Sequence, residues 1–359
     1  MKRGWLVANL AGAGAVLLGV LAVCLGSGCS TLGYYTQSIG GHLALVGAAR
    51  PVPEWLADDR TSAALKQRLS LSQRIRDFAS RELGEPDNAS YRRYADLKRA
   101  AAVWNVVAAP ELSLTLKTWC FVVVGCVGYR GYYDQADADA FADGLRAQAL
   151  EVSVYGVPAY STLGLLPGDA FADPLLSTFI DYPEGELARL IFHELAHQVA
   201  YAKGDTVFNE SFATAVERVG SVRWLNEHAG PQVREDHERF EARRRDFREL
   251  TARYRVRFED LYAGSASDPV KRAAKADLLA QLRSEHETIR RERWGGFSGY
   301  DGWFARANNA AFGVLSAYNE LVPNFERLLA REGGDLPRFY AEVKRIAALP
   351  QAERRNALP

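Results

Sequence analysis

Residues 192–198 read Phe-His-Glu-Leu-Ala-His-Gln, and no other stretch constrains the fold as strongly. The two histidines stand four apart within a run whose apolar residues, Leu190, Ile191, Phe192, Leu195 and Val199, recur at helical spacing. Pro183 opens the run and Gly204 closes it, so a helix is predicted from Pro183 to about Lys203. Glu184 and Glu186 fall in its first turn, where the helix dipole favours acids. At 3.6 residues per turn, His193 and His197 project from one face, close enough to share a metal ion.

Zinc accepts neutral imidazole nitrogen, and its catalytic sites combine three protein ligands with water. Glu194 follows the first histidine, at the angle where a carboxylate reaches such a water and takes its proton as it attacks a carbonyl. The pattern is the H-E-x-x-H arrangement of metallopeptidases. Metzincins place a glycine and a third histidine where this chain has Ala200 and Lys203, which excludes that class. Gluzincins complete the site with an acid on a second, antiparallel helix, and Asn209-Glu210-Ser211-Phe212-Ala213 supplies one. Only twelve residues separate His197 from Glu210, so Gly204-Asp205-Thr206 must turn the chain tightly. Glu217, two helical turns further on, shares that face and is the alternative ligand, or an acid that orients a histidine. The expected centre is one Zn2+ on His193, His197 and Glu210, with Glu194 as general base.

Lys2 and Arg3 precede an uncharged apolar run, Trp5 to Cys24, the layout of an export signal over residues 1–28. The same run is long enough for a single membrane-spanning helix. Leu25-Gly26-Ser27-Gly28-Cys29 resembles a bacterial lipobox, with Gly26 where leucine is usual. Cys29 is therefore the expected lipidation site, and acyl chains would hold the protein on a bacterial envelope membrane facing the periplasm. Ser30 rather than aspartate favours the outer membrane. Lysine plus arginine and aspartate plus glutamate both number 44, so no basic field draws in nucleic acid. Hydrophobic residues make up 48%, ample for a core in residues 51–348. Cys120 and Cys126 lie on one face of an extended strand, too far apart to bond unless the chain bends, and Gly125 can supply the bend.

Helical spacing runs through Leu65, Leu69, Leu71, Ile75 and Phe78 to Gly84. Val103 to Ala108 reads as a buried strand, Trp119 to Tyr133 as two strands or one bent strand, and Val152 to Val157 as another strand. Asp137 to Ala149 is helical, and Leu163 to Asp181 a loop. Residues 228–295 are densely charged and read as a long antiparallel helical hairpin, a solvated arm or lid. Tyr300 to Ala348 returns to apolar helical spacing, and 349–359 is a disordered tail. The fold class is α+β: a small mixed sheet packed on the zinc helix, with a mostly helical C-terminal half.

The stretches YYTQSIGGHL, DNASYRRYADL, VWNVVAAPELSL, KTWC, YSTLG, DPLLST, LIFHELAHQ, FNESFATAVE and ELVPNFERLL together resemble the bacterial predicted-aminopeptidase lipoprotein family. The resemblance runs from about Leu32 to Arg345 and implies a gluzincin-type zinc peptidase with zinc on His193, His197 and Glu210 and Glu194 as base. Its substrates would be peptides or unfolded proteins. Well-studied gluzincin aminopeptidases grip the substrate amine with an acid on an edge segment upstream of the zinc helix. The corresponding Gly156-Val157-Pro158-Ala159-Tyr160-Ser161 carries none, so endopeptidase action fits the residues as well. The Val152–Val157 backbone can still pair with an extended peptide. Tyr160 is the first choice for the donor that meets the oxyanion, with Tyr300 and Tyr318 as alternatives. His228, His237 and His286 read as surface histidines, and Asn308-Asn309 as a polar pair at a helix end. A non-catalytic lipoprotein that uses the hairpin as a partner-binding arm is the competing reading, and it has no use for Glu194.

Overall fold

A computed structural model describes residues 29–121, 125–159, 169 and 172–359. The expected signal segment 1–28 and Tyr160 lie outside the described residues. The chain opens with helix α1 (Cys29–Ala48), strand β1 (Arg50–Pro51) and helices α2 (Val52–Ala57) and α3 (Ala63–Arg81). Pro51 ends β1 and Pro53 falls in the first turn of α2, and Ser62 caps α3 by accepting from the Leu65 amide at 3.2 Å. Strand β2 (Arg93–Ala95) follows, then β3 (Val103–Pro110), β4 (Trp119–Phe121), β5 (Gly125–Val127) and β6 (Arg130–Tyr132). Helix α4 (Gln135–Arg146) leads to β7 (Leu150–Val157), and β8 (Leu175–Leu176) precedes the predicted metal helix.

Strand β3 is the middle of a three-stranded antiparallel sheet ordered β6-β3-β7. Its side chains alternate between two layers, as the strand period requires. Val106 and Ala108 pack with Ala138, Ala142 and Leu145 of α4, while Val107 and Ala109 meet Ala310 on the other side. Strand β7 pairs only with β3 among the described strands, so its outer edge faces away from the sheet. The stretch from Trp119 is three short strands rather than two. β4 and β5 form a hairpin that sets Cys120 opposite Cys126, and the two are disulfide-bonded. Gly125 makes the required bend with φ +82°, a conformation that costs glycine least. The region read as a loop contains β8, which pairs in parallel with β2 in a second small sheet, β1-β2-β8.

The rest of the chain is helical: α5 (Glu184–Val199), α6 (Thr206–His228), α7 (Pro231–Ala263), α8 (Asp268–Glu292), α9 (Asp301–Ala305), α10 (Asn309–Asn319), α11 (Val322–Arg331), α12 (Leu336–Ala347) and α13 (Gln351–Ala357). No helix among the described residues is long and apolar enough to cross a membrane. Helix α5 buries Leu187, Ala188, Ile191, Phe192, Leu195 and Ala196 completely, in the largest core of the molecule. That core also holds Phe78 of α3, Phe208 and Phe212 of α6, and Phe325 and Phe339 of α11 and α12.

Two expectations are overturned here. Helices α7 and α8 do form a hairpin, but not a solvated arm. Phe247, Leu250, Tyr254 and Phe258 of α7 and Leu282 of α8 build a core of their own with Trp294, Phe304 and Phe312. Residues 349–359 are not a disordered tail either. They fold into α13, and its buried Arg354 pairs with Asp205 at 3.1 Å, at the start of α6. Two of the expected surface histidines are also enclosed. His286 is 6% exposed and stacks on Phe304 at 4.0 Å, and His237 lies against Glu186.

Candidate metal centre

Helix α5 ends four residues before the position that its glycine suggested. Ala200 turns extended at φ −149°, ψ 136°, and the helix stops at Val199. The six residues to Thr206 reverse the chain with Gly204 at φ +75°. Asp205 caps α6 by accepting from the Phe208 amide at 3.2 Å. Asn209, itself buried, closes the turn. Its Oδ1 accepts from the Ala202 amide at 2.7 Å and its Nδ2 donates to the Ala202 carbonyl at 2.9 Å. Gly125 of the disulfide hairpin packs on this turn, where an added Cβ would lie 3.0 Å from the Gly204 Cα. These contacts lay α6 antiparallel against α5 and bring Glu210 over the histidines.

The donor atoms of His193, His197 and Glu210 all lie within 4.8 Å of one another. Glu210 Oε2 is 3.2 Å from His193 Nε2 and 3.7 Å from His197 Nε2. Two ligands of one tetrahedral zinc stand roughly 3.4 Å apart, given bond lengths of about 2.0–2.2 Å. The two Glu210 separations match that spacing, and the nitrogen and carboxylate chemistry of the set suits zinc. Burial pushes the His197 pKa down to about 4, leaving the neutral imidazole a ligand must be. At His193 burial acts the same way, but hydrogen bonds and charge from Glu210 and Glu217 outweigh it and raise the pKa well above the ordinary value. A proton there stands where a cation's charge would otherwise balance two carboxylates. His197 Nδ1 is buried with no hydrogen-bond partner among the described residues.

Glu217 is not a third donor. Its Oε2 accepts from His193 Nδ1 at 3.0 Å, fixing the ring while Nε2 faces the ion site. The other oxygen pairs with Arg189, and Arg189 also pairs with Glu241 of α7. Arg244 then joins Glu241 to Glu186 of α5. These partners hold the Glu217 carboxyl down at about 2, against the opposing effect of burial, so it is an anion facing His193. The spacing Glu210–Glu217 flagged Glu217. Nothing local flagged Arg189, Glu241 or Arg244, whose meeting depends on how the hairpin packs.

Beside the three donors lies a cavity of about 690 Å³, within the range of small-molecule and peptide sites. Glu194 lines it without a hydrogen bond or ion pair to any described residue. Burial raises its pKa to about 8. The last residue of β7 and the two after it, Val157-Pro158-Ala159, form one wall. Of the proposed oxyanion donors, Tyr300 lines the cavity, stacked on Phe247 with ring centroids 4.4 Å apart. Tyr129 and Tyr201 also line it and were missed. Tyr201 stands four residues after His197, the spacing that could have flagged it. Asn308 and Asn309 contact the sheet instead: Asn308 Nδ2 donates to the Val152 carbonyl at 3.0 Å, and Asn309 Nδ2 to the Pro110 and Glu111 carbonyls.

No curated protein and no solved structure matches the chain. A family whose description reads "Putative aminopeptidase" matches residues 33–358, nearly the whole described chain, metal helix and cleft included. The chain belongs to that family.

Proposed function

We propose that this protein is a zinc-dependent peptidase of the gluzincin type. His193, His197 and Glu210 would hold the ion, which when bound supplies Lewis acidity toward a carbonyl and acidifies water at its open position. Glu217 keeps the His193 ring in register. Glu194 takes a proton from the attacking water and returns it to the leaving amine. An extended peptide would lie along the outer edge of β7, and Tyr129, Tyr201 and Tyr300 are described cavity tyrosines that could donate to the oxyanion. The supporting observation is Glu194 itself. Its carboxylate faces the cleft, binds no described partner, and would serve no purpose in a purely structural metal site.

The test is purified protein with and without Glu194→Gln, with metal content measured, incubated with a mixed peptide library. Both proteins should carry zinc, and the variant should cleave about a hundred- to ten-thousand-fold more slowly. Zinc-loaded wild type that cuts no peptide would end this reading. Position in the cell is part of the proposal: a lipid on Cys29 would place the cleft in the envelope. Labelling with radioactive palmitate checks that: wild type should take up label and Cys29→Ala none, and an unlabelled wild type refutes it.

A further inference from the structure

Three arginines line the cleft, and two of them are matched. Arg189 pairs with Glu217 and Glu241, and Arg244 with Glu186 and Glu241. The third, Arg248, sits one helical turn past Arg244 on α7 and lines the same cavity as His193 and Glu194. Its own helix offers it no acid one turn away on either side. Positions three and four before it hold Arg245 and Arg244, and positions three and four after it hold Thr251 and Ala252. The charges that face it from other positions are Arg218, Arg189 and Glu241. Glu241 is already shared between two arginines, and Arg218 pairs with Glu326 at 2.9 Å. Among the described residues the Arg248 guanidinium has no hydrogen bond and no ion pair.

A partly buried cation next to another arginine at i−4 is unfavourable unless an anion meets it. The guanidinium fork matches a carboxylate in two parallel hydrogen bonds. The stacked pair of Phe247 and Tyr300 lines the cavity nearby and keeps part of the wall apolar, which strengthens any charge pair formed there. We propose that Arg248 receives a carboxylate of the peptide substrate, so that the site prefers peptides carrying a carboxylate near the scissile bond. That group is either the C-terminal carboxylate of a short peptide or an aspartate or glutamate side chain. The proposal rests on the peptidase reading above. It also explains what the cleft lacks. Every described glutamate in it is already engaged. Glu210 faces the ion site, Glu194 is the base, and Glu217 and Glu186 are held by arginines. None is left to grip a substrate ammonium.

The experiment uses the full zinc-loaded chain and matched peptides: free acid against C-terminal amide, and internal glutamate against glutamine. Wild type should favour one carboxylate-bearing member by roughly ten- to a hundredfold in kcat/KM. The pair that shows the preference identifies the source of the carboxylate. Arg248→Gln should bring that ratio to within about twofold of one, and Arg248→Lys should restore part of it. Arg245→Gln, on the exposed side of α7, should keep the wild-type ratio. Zinc content and thermal melting confirm that each variant is folded. A wild type indifferent to both substitutions, or an Arg248→Gln that keeps the preference, overturns the role of Arg248 and leaves the peptidase reading intact. A wild type that cleaves none of the peptides overturns both.

Discussion

Glu217→Gln is the sharpest test of how this centre is built, because glutamine keeps the shape and removes one acceptor. Glu217 serves two donors, His193 Nδ1 at 3.0 Å and the Arg189 guanidinium. A glutamine has one acceptor oxygen and one NH2 group. Whichever donor the oxygen takes, the NH2 group faces the other. Removing one member of a buried ion pair costs about 3–5 kcal/mol. Arg189 keeps Glu241, so the lower end of that range applies to the metal-free protein. Loss of the acid behind a ligating histidine weakens metal binding about ten- to a hundredfold. The two effects separate experimentally: thermal melting in chelator reports the first, and zinc competition against a chromophoric indicator the second. Adding Arg189→Met to Glu217→Gln removes the competing donor, so the amide oxygen can serve His193 alone and zinc affinity should partly recover. Zinc affinity in Glu217→Gln equal to that of wild type would show that Glu217 does not position His193, and the geometry above would have no functional weight.

Saturating zinc should stabilise the fold by about 4 kcal/mol at a thousandfold excess over Kd, and chelation or His197→Ala should abolish that increment in a melting assay. Asn209→Ala removes both bonds to Ala202 and should cost about 2–3 kcal/mol while weakening zinc binding, read by melting and metal titration together. At Gly220 of α6 an added Cβ would lie 2.7 Å from both Leu83 Cδ1 and Phe192 Cδ2, so Gly220→Ala should destabilise by about 1–3 kcal/mol despite the better helix propensity of alanine. Reducing Cys120–Cys126 opens a small loop and should cost about 2 kcal/mol, seen as a lower midpoint in urea.

The constellation was legible where chemistry is local. His193, Glu194 and His197 are set by helical spacing alone, and the structure keeps them on the face of α5 opposite its fully buried apolar side chains. Glu210 and Glu217 could be ranked but not decided from spacing, since both fall on one face of α6. The decision lies in the turn: the extended Ala200, the left-handed Gly204 and the double bond from Asn209 to Ala202 set where α6 begins. The two-residue strands β1 and β8 were invisible because two residues carry no period. The helices of the hairpin were legible, but not its packing. Phe247, Leu250, Tyr254 and Phe258 follow the three–four spacing of a buried stripe, and the surrounding charge density masked it.

That charge density is what joins the hairpin to the candidate metal site. Arg189 and Glu186 project from α5, Glu217 from α6, and Glu241 and Arg244 from α7. A hairpin that swung away would carry Glu241 and Arg244 with it, taking Glu241 from Arg189 and Arg244 from Glu186 and so breaking two buried ion pairs at a cost of several kcal/mol. The base of the hairpin is therefore fixed, and with it the direction from which Arg248 meets the cavity. The same contacts hold Glu217 ionised behind His193, so one chain of charges positions both a candidate metal ligand and the cleft wall. Residues with no place in the H-E-x-x-H pattern thus set the geometry in which that pattern acts.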